Sequence, residues 1–229
     1  MNLKRIENYW DERSKALSKV RRMELDGVDG AAWRNIFKKN LPAHKLKVLD
    51  VGTGAGFFAA ILSELGHKVI GVDMSAKMLG EAEKNLRELN LSAKFLKMNA
   101  QALNFDDETF DAVVTRNLTW TLPDVKAAYR EWQRVLKVGG VLMNFDSDYG
   151  DKNYFKCSRM ELGAEKLGEC QAIKNSMAIS KRRRPHWDAG FLEGIGFTVR
   201  VDEDISSAVQ KDSRCEYDSV PLFAIHAVK

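Results

Sequence analysis

Apolar positions in the first forty residues recur at helical spacing. Asn8–Leu17 mixes aromatics and charges with a period near 3.6 and predicts an N-terminal helix. Ala31–Lys39 sets Trp33, Ile36 and Phe37 on one face and predicts a second helix, stopped at Asn40-Leu41-Pro42. From Lys45 the period changes. Short β-rich runs at Leu46–Val51, Lys68–Asp73, Ala93–Met98, Phe110–Thr115 and Val141–Phe145 alternate with helical patterns at Phe57–Leu65, Ala76–Leu89 and Asp124–Leu136. That order predicts βαβ units and a mainly parallel sheet. Pro123 is expected in the first turn of the last of these helices, where its missing N–H costs nothing.

After Phe145 the rhythm breaks for about forty residues, up to Arg184-Pro185, which is too long for a simple connection and suggests a functional cap. A short helix at Trp187–Glu193 and strands at Phe197–Asp202 and Val220–Val228 close the chain. The expected organisation is one α/β domain over residues 1–229. An N-terminal helical lid spans 1–44, a ligand-binding core 45–146, a substrate-cap insertion 147–186, and the rest of the sheet 187–229.

Composition narrows the function without choosing it. The 229 residues are 45% hydrophobic and 30% charged, enough to bury a core with a cavity in it. No apolar run is long enough to cross a bilayer and the N-terminus is charged, so the expectation is a cytoplasmic protein without a membrane partner. Cys157, Cys170 and Cys215 are widely spaced, and His44, His67, His186 and His226 are scattered. We therefore expect reduced thiols and no metal site. The net charge of +4 owes part of its excess to Lys181-Arg182-Arg183-Arg184, read as a solvated surface with phosphate or nucleic-acid binding as the alternative.

The chemistry begins where the first strand ends. Gly52, Gly54 and Gly56 there allow a sharp backbone turn and close approach of a ligand. The second strand ends at Asp73, next to the first in a doubly wound sheet and able to accept hydrogen bonds from both hydroxyls of a ribose. A nucleoside-containing cofactor follows. Nicotinamide-dependent oxidoreductases favour Gly-x-Gly-x-x-Gly, whereas here the third glycine comes one residue early and Phe57 occupies its place.

Asp50-Val51-Gly52-Thr53-Gly54-Ala55-Gly56 resembles the signature of class I S-adenosylmethionine-dependent methyltransferases. The resemblance runs over about residues 45–146, through Gly71-Val72-Asp73-Met74-Ser75, Met98-Asn99-Ala100-Gln101-Ala102-Leu103, Phe110-Asp111-Ala112-Val113-Val114 and Leu136-Lys137-Val138-Gly139-Gly140-Val141-Leu142. It implies a three-layer Rossmann-like fold, a seven-stranded mainly parallel sheet with helices on both faces. The implied cofactor is S-adenosyl-L-methionine, converted to S-adenosyl-L-homocysteine. It further implies that Gly52, Gly54 and their neighbours contact the methionine portion and that Asp73 holds the ribose. Asn99 with Ala100 would read the adenine, with Met74 packed on its face, and Tyr9 and Trp10 would act as lid aromatics; Asp50, Thr53, Gly56, Phe57, Gln101 and Arg116 complete the expected cofactor-binding residues. Many relatives carry Asp where Asn99 stands; Asn keeps a carbonyl oxygen for the adenine amino group.

Acceptor contacts are expected at the C-terminal ends of the strands. Asn117, followed by Trp120, partly resembles an amine-directed Asn-Pro-Pro-Tyr motif, though both prolines are missing. Asn117, Asp146 and His186 are the candidate catalytic residues, and Trp120, Tyr149 and Trp187 the candidate substrate contacts. A small-molecule methyl acceptor is the favoured partner. An RNA or protein methyltransferase and a non-catalytic S-adenosylmethionine-binding sensor stay open.

Overall fold

A computed structural model describes residues 3–154, 163–215 and 217–229. Cys157, one of the expected thiols, lies outside the described residues. Two helices, α1 (Leu3–Asp26) and α2 (Val28–Asn40), precede the sheet. The core then runs β1 (Lys47–Val51), α3 (Phe57–Glu64), β2 (Lys68–Asp73), α4 (Ala76–Glu88), β3 (Lys94–Lys97), β4 (Phe110–Arg116), α5 (Val125–Val135) and β5 (Leu136–Ser147). After the insertion, which holds α6 (Ala164–Ser176), come α7 (His186–Gly194), β6 (Thr198–Asp202), α8 (Ser206–Val209) and β7 (Leu222–Val228).

The seven strands form one sheet in the order β3-β2-β1-β4-β5-β7-β6, with β7 antiparallel to both its neighbours and the other pairs parallel. Central strands covered on both faces must be apolar throughout. Side-chain alternation then divides them between two cores. Leu49, Val51, Val113 and Leu142 point to one, with Tyr129 and Trp132 of α5. Val48, Ala112, Val114, Met143 and Phe145 point to the other, with Trp33 and Phe37 of α2 and Phe58 and Ile61 of α3. Helices therefore cover both faces, the three-layer architecture expected.

Three local expectations are corrected. Pro123 lies outside α5. Asp124 caps that helix, its side chain accepting from Ala127 N at 3.0 Å, so Pro123 only directs the chain into the cap. β5 begins at Leu136, straight after α5, and not at Val141. Its register against β4 shifts between Phe110 and Ala112, and Gly139 at φ 75° absorbs the irregularity. The insertion carries a thirteen-residue helix, α6, which the sequence did not announce because it buries only Cys170, Ile173 and Lys174.

The boundary between the parallel neighbours β1 and β4 positions the site. β2 and β3 lie to one side of it and β5 to the other, so the order in which strands are added reverses there and a crevice opens above the strand ends. α1 lies across this crevice. Asp11 accepts from the hydroxyl of Ser75, the N-cap of α4, at 2.5 Å. Ser18 and Asn85 pair farther along, with Asn85 also donating to the Ala55 carbonyl at 2.9 Å.

Candidate active site

The cleft above the strand ends encloses about 1390 Å³ of atom-free space, open solvent at its mouth included. Its floor is the loop after β1. Gly52 and Thr53 donate their N–H groups to the Val72 carbonyl at 2.8 and 3.0 Å, which ties the loop to β2. Gly54, at φ 53°, needs glycine for its backbone, and a Cβ there would meet nothing nearer than 4.0 Å. Its main chain is therefore open to the cleft. Gly56 serves differently from the expectation. It does not line the cleft; a Cβ on it would sit 3.0 Å from Ala82 and Leu86, so its role is close packing of α3 against α4.

Two acids stand at this floor. Asp73 accepts from Gly54 N and Ser75 N, both at 2.9 Å, and its position at the end of β2 faces the cleft. Burial pushes its carboxyl above the ordinary range, against the pull of those N–H donors. Asp50 accepts from the Thr53 hydroxyl at 2.6 Å, and burial raises it to about 7.

The turn after β3 differs in detail from the sequence reading. Asn99 and Ala100 line the cleft beside Met74 and Met98. The Asn99 carbonyl, however, accepts from Gln101 N at 3.0 Å and Gln101 Nε2 at 3.2 Å, so it is engaged within its own turn. Gln101 itself stands outside the lining, accepts from Asp124 N at 2.7 Å, and holds Asn99 in place.

Arg116, at the end of β4, lines the opposite wall. Its guanidinium lies 4.8 Å from the centroid of Trp33 and 5.0 Å from that of Phe57, and pairs at 2.7 Å with Glu24 of α1. Burial works to raise Glu24, but Arg116 and Arg21 together hold it below the usual carboxylate range. Among the described residues, Arg116 Nε and Nη1 are buried with no hydrogen-bond partner. Next along the chain, Asn117 adopts φ 52°, and its buried Oδ1 likewise has none among them.

The far end of the cleft is aromatic. Trp120, Tyr149 and Tyr154 pack with ring centroids 5.0–5.6 Å apart, and Trp10 of α1 meets Trp120 edge-on at 6.2 Å. Tyr149 donates to Asp218 at 2.9 Å. Tyr9 does not face the cleft. It is buried behind Trp10, accepting from Arg13 at 2.6 Å, which makes it part of the lid's support.

Three expected acceptor-site residues lie elsewhere. Asp146 is fully buried below the cleft and is taken up by Thr119 Oγ1, Trp120 N at 3.0 Å, Ser147 N at 2.8 Å and Arg184 at 3.3 Å. It does not line the cleft. His186 is exposed and pairs with Glu203 at 3.3 Å, and Trp187 stacks on Phe191 at 5.8 Å; neither lines the cleft. The basic run is also divided. Lys181, Arg182 and Arg183 are exposed, whereas Arg184 is buried between Asp146 and Asp188.

Several lining residues were missed. Arg13, Leu17 and Arg21 share with Trp10 one face of α1, a period the sequence did contain. Tyr154 and Asp218 had no such signal, since the insertion and the loop before β7 bring them in from distant positions. Among the described residues, no group of three histidine, cysteine or acidic side chains is placed to hold a metal ion.

A glycine loop and an acid at the end of β2 stand at the switch point of a doubly wound sheet, where such folds bind their ligands. Residues 49–144 match the model of a methyltransferase domain. The chain is 33% identical over 152 residues to a sterol 24-C-methyltransferase of Aspergillus fumigatus, covering 64% of this chain and 40% of that one. It is 34% identical over 111 residues to a phosphatidylethanolamine N-methyltransferase of Cereibacter sphaeroides, covering 45% and 53%. The chain thus spans about half the length of these curated relatives, or less. A solved S-adenosylmethionine-dependent methyltransferase of Thermotoga maritima shares the fold with a TM-score of 0.65 at 20% identity, over 97% of this chain and 99% of that one.

Proposed function

We propose that this chain transfers the methyl group of S-adenosyl-L-methionine to a small-molecule acceptor. The observation that carries the reading is one continuous cleft joining the glycine loop and Asp73 to a closed aromatic end, with polar atoms of Arg116 and Asn117 that have no partner among the described residues between them. The residues suit the cofactor. Asp73 keeps acceptor capacity for ribose hydroxyls, the open face of Gly54 admits the chain of the amino acid, and the guanidinium of Arg116 matches a carboxylate. When bound, the cofactor supplies an activated methyl group on a positively charged sulfur.

The protein's own contribution is alignment and exclusion of water. α1 covers the cleft through Trp10 and Leu17, and Trp120 and Tyr149 wall its inner end. Asn117 offers its carbonyl oxygen to orient the acceptor. Asp146 does not act as a base; through Trp120 N it fixes the backbone that carries the aromatic wall. Sterol and lipid methyltransferases among the relatives support a small-molecule acceptor.

Calorimetry against S-adenosyl-L-homocysteine and NAD tests the donor. Binding of the first and not the second is expected, and the reverse would overturn the reading. Incubation with methyl-labelled cofactor and fractionated cell extract tests the acceptor class, and label found only in macromolecules would exclude a small molecule.

A further inference from the structure

Only Arg184 of the basic run is taken into the interior; Lys181, Arg182 and Arg183 stay exposed. The fold brings two more exposed cations, Lys126 and Arg130 of α5, to the side of α7 that Arg182 reaches. Two partly exposed rings stand between these groups. Trp187 and Phe191 of α7 stack at 5.8 Å with 11° between their planes. Lys126 and Arg130 lie 5.7 and 5.2 Å from the Phe191 centroid, and Arg182 lies 5.8 Å from that of Trp187. The acids of these segments are engaged or point elsewhere. Asp124 caps α5, Glu131 pairs with Arg134 at 2.7 Å and Glu203 pairs with His186. Glu193 lies about 200° round α7 from Phe191. The patch adjoins the cleft: Pro123, a lining residue, leads into the cap of α5, and the turn Ala178–Lys181 packs against Thr119–Thr121, which carries Trp120.

A basic patch with aromatic rings suits either a nucleic acid or an anionic lipid surface, and the rings decide between them. Single-stranded nucleic acid stacks its bases on open ring faces. Here the faces are already taken, that of Trp187 by Phe191 and Arg182, that of Phe191 by Trp187, Lys126 and Arg130. Ring edges and long basic side chains remain for a partner. That combination fits the headgroup level of a bilayer, where rings anchor and flexible cations meet lipid phosphates. We propose that α5, α7 and residues 181–183 dock this chain on an anionic membrane surface, with Trp187 and Phe191 at headgroup level and the five cations on lipid phosphates. Such docking goes beyond the methyl-transfer reading and does not depend on it. The contact is peripheral, so it needs no spanning segment, and among the described residues no helix is long and apolar enough to cross a membrane. It replaces the expectation of a chain without a membrane partner.

The test is flotation of the full chain with vesicles of phosphatidylcholine alone and of phosphatidylcholine with about 30% phosphatidylglycerol. The mixed vesicles should bind at least about tenfold more strongly at about 0.1 M salt, and most of the difference should be lost at about 0.5 M. Equal binding to the two vesicles would overturn the proposal without any variant having to fold. Arg182→Gln combined with Arg183→Gln should weaken binding to the mixed vesicles by about tenfold or more. Lys38→Gln combined with Lys39→Gln removes the same charge from exposed positions on α2, which covers the other face of the sheet, and should change binding by less than about twofold. Equal losses in the two double variants would reduce the effect to net charge and overturn the proposal. So would a labelled single-stranded RNA that binds more tightly than the mixed vesicles and depends on Arg182 and Arg183, since it would assign the face to nucleic acid.

Discussion

Asn117 and Arg116 are adjacent in the chain, and the proposed function gives them opposite ends of the cleft. With Asn117 orienting the acceptor, Asn117→Ala should lower turnover by about tenfold or more and leave the affinity for S-adenosyl-L-homocysteine unchanged in calorimetry. Arg116→Gln should weaken S-adenosyl-L-homocysteine by at least about tenfold while changing 5'-methylthioadenosine, which lacks the carboxylate, by less than about twofold. Equal losses for the two ligands would remove Arg116 from the carboxylate site. Asp50 gives a pH prediction. Its folded value of about 7 lies above its unfolded value, so between about pH 4 and pH 7 the folded chain holds the extra proton. This group's contribution is therefore greatest below pH 4, falls by up to about 4 kcal/mol as pH rises to 7, and is flat above. Urea unfolding at pH 5 and pH 7.5 should show that Asp50→Asn becomes less destabilising, or more stabilising, at the higher pH. The glycine loop and Asp73 were legible in the sequence because their roles belong to the backbone and to a strand end. Asp146 was misread for the same reason: its strand end is visible, but its burial depends on Arg184, which the sequence showed only as one of four basic residues.

At the scale of elements, legibility follows burial. β1, β2 and β4 are covered on both faces and reduce to apolar runs with clear limits, whereas α6 buries too narrow a strip to mark itself. The insertion joins the sheet through apolar residues such as Ile173, Met177 and Ile179 and through a buried polar network. Arg184 donates to both oxygens of Asp188 at 2.8 Å and reaches Asp146 at 3.3 Å. Tyr129 donates to Asp188 at 2.6 Å and accepts from Asn144 at 2.9 Å. This network is closed to water, so removing its cation leaves two acids uncompensated. Arg184→Met should cost about 3–5 kcal/mol in denaturant unfolding. Asp188→Asn should cost less, because the amide keeps one acceptor and Arg184 keeps Asp146.

Across the whole molecule, the cleft is roofed by parts distant in sequence: α1 and the insertion above the loops of β1, β2 and β4. Hydrogen exchange should register this. Adding S-adenosyl-L-homocysteine should slow exchange in α1 and in residues 52–55 and 116–122, and leave β6 unchanged. Protection confined to the glycine loop would mean that α1 is no lid.

Asp29 is fully buried at the start of α2. It accepts from Lys211 N at 2.7 Å and Asp212 N at 3.1 Å and from the Tyr217 hydroxyl. The loop bearing Asp218 is thereby fastened to the opposite terminus. An engineer who grafts the last third of this chain onto another methyltransferase core, to change what is methylated, would transplant Asp218 without its anchor. Chimeras should work only when both termini travel together, and variation in acceptor choice within such proteins should appear as paired changes at the two ends, with the central strands left alone.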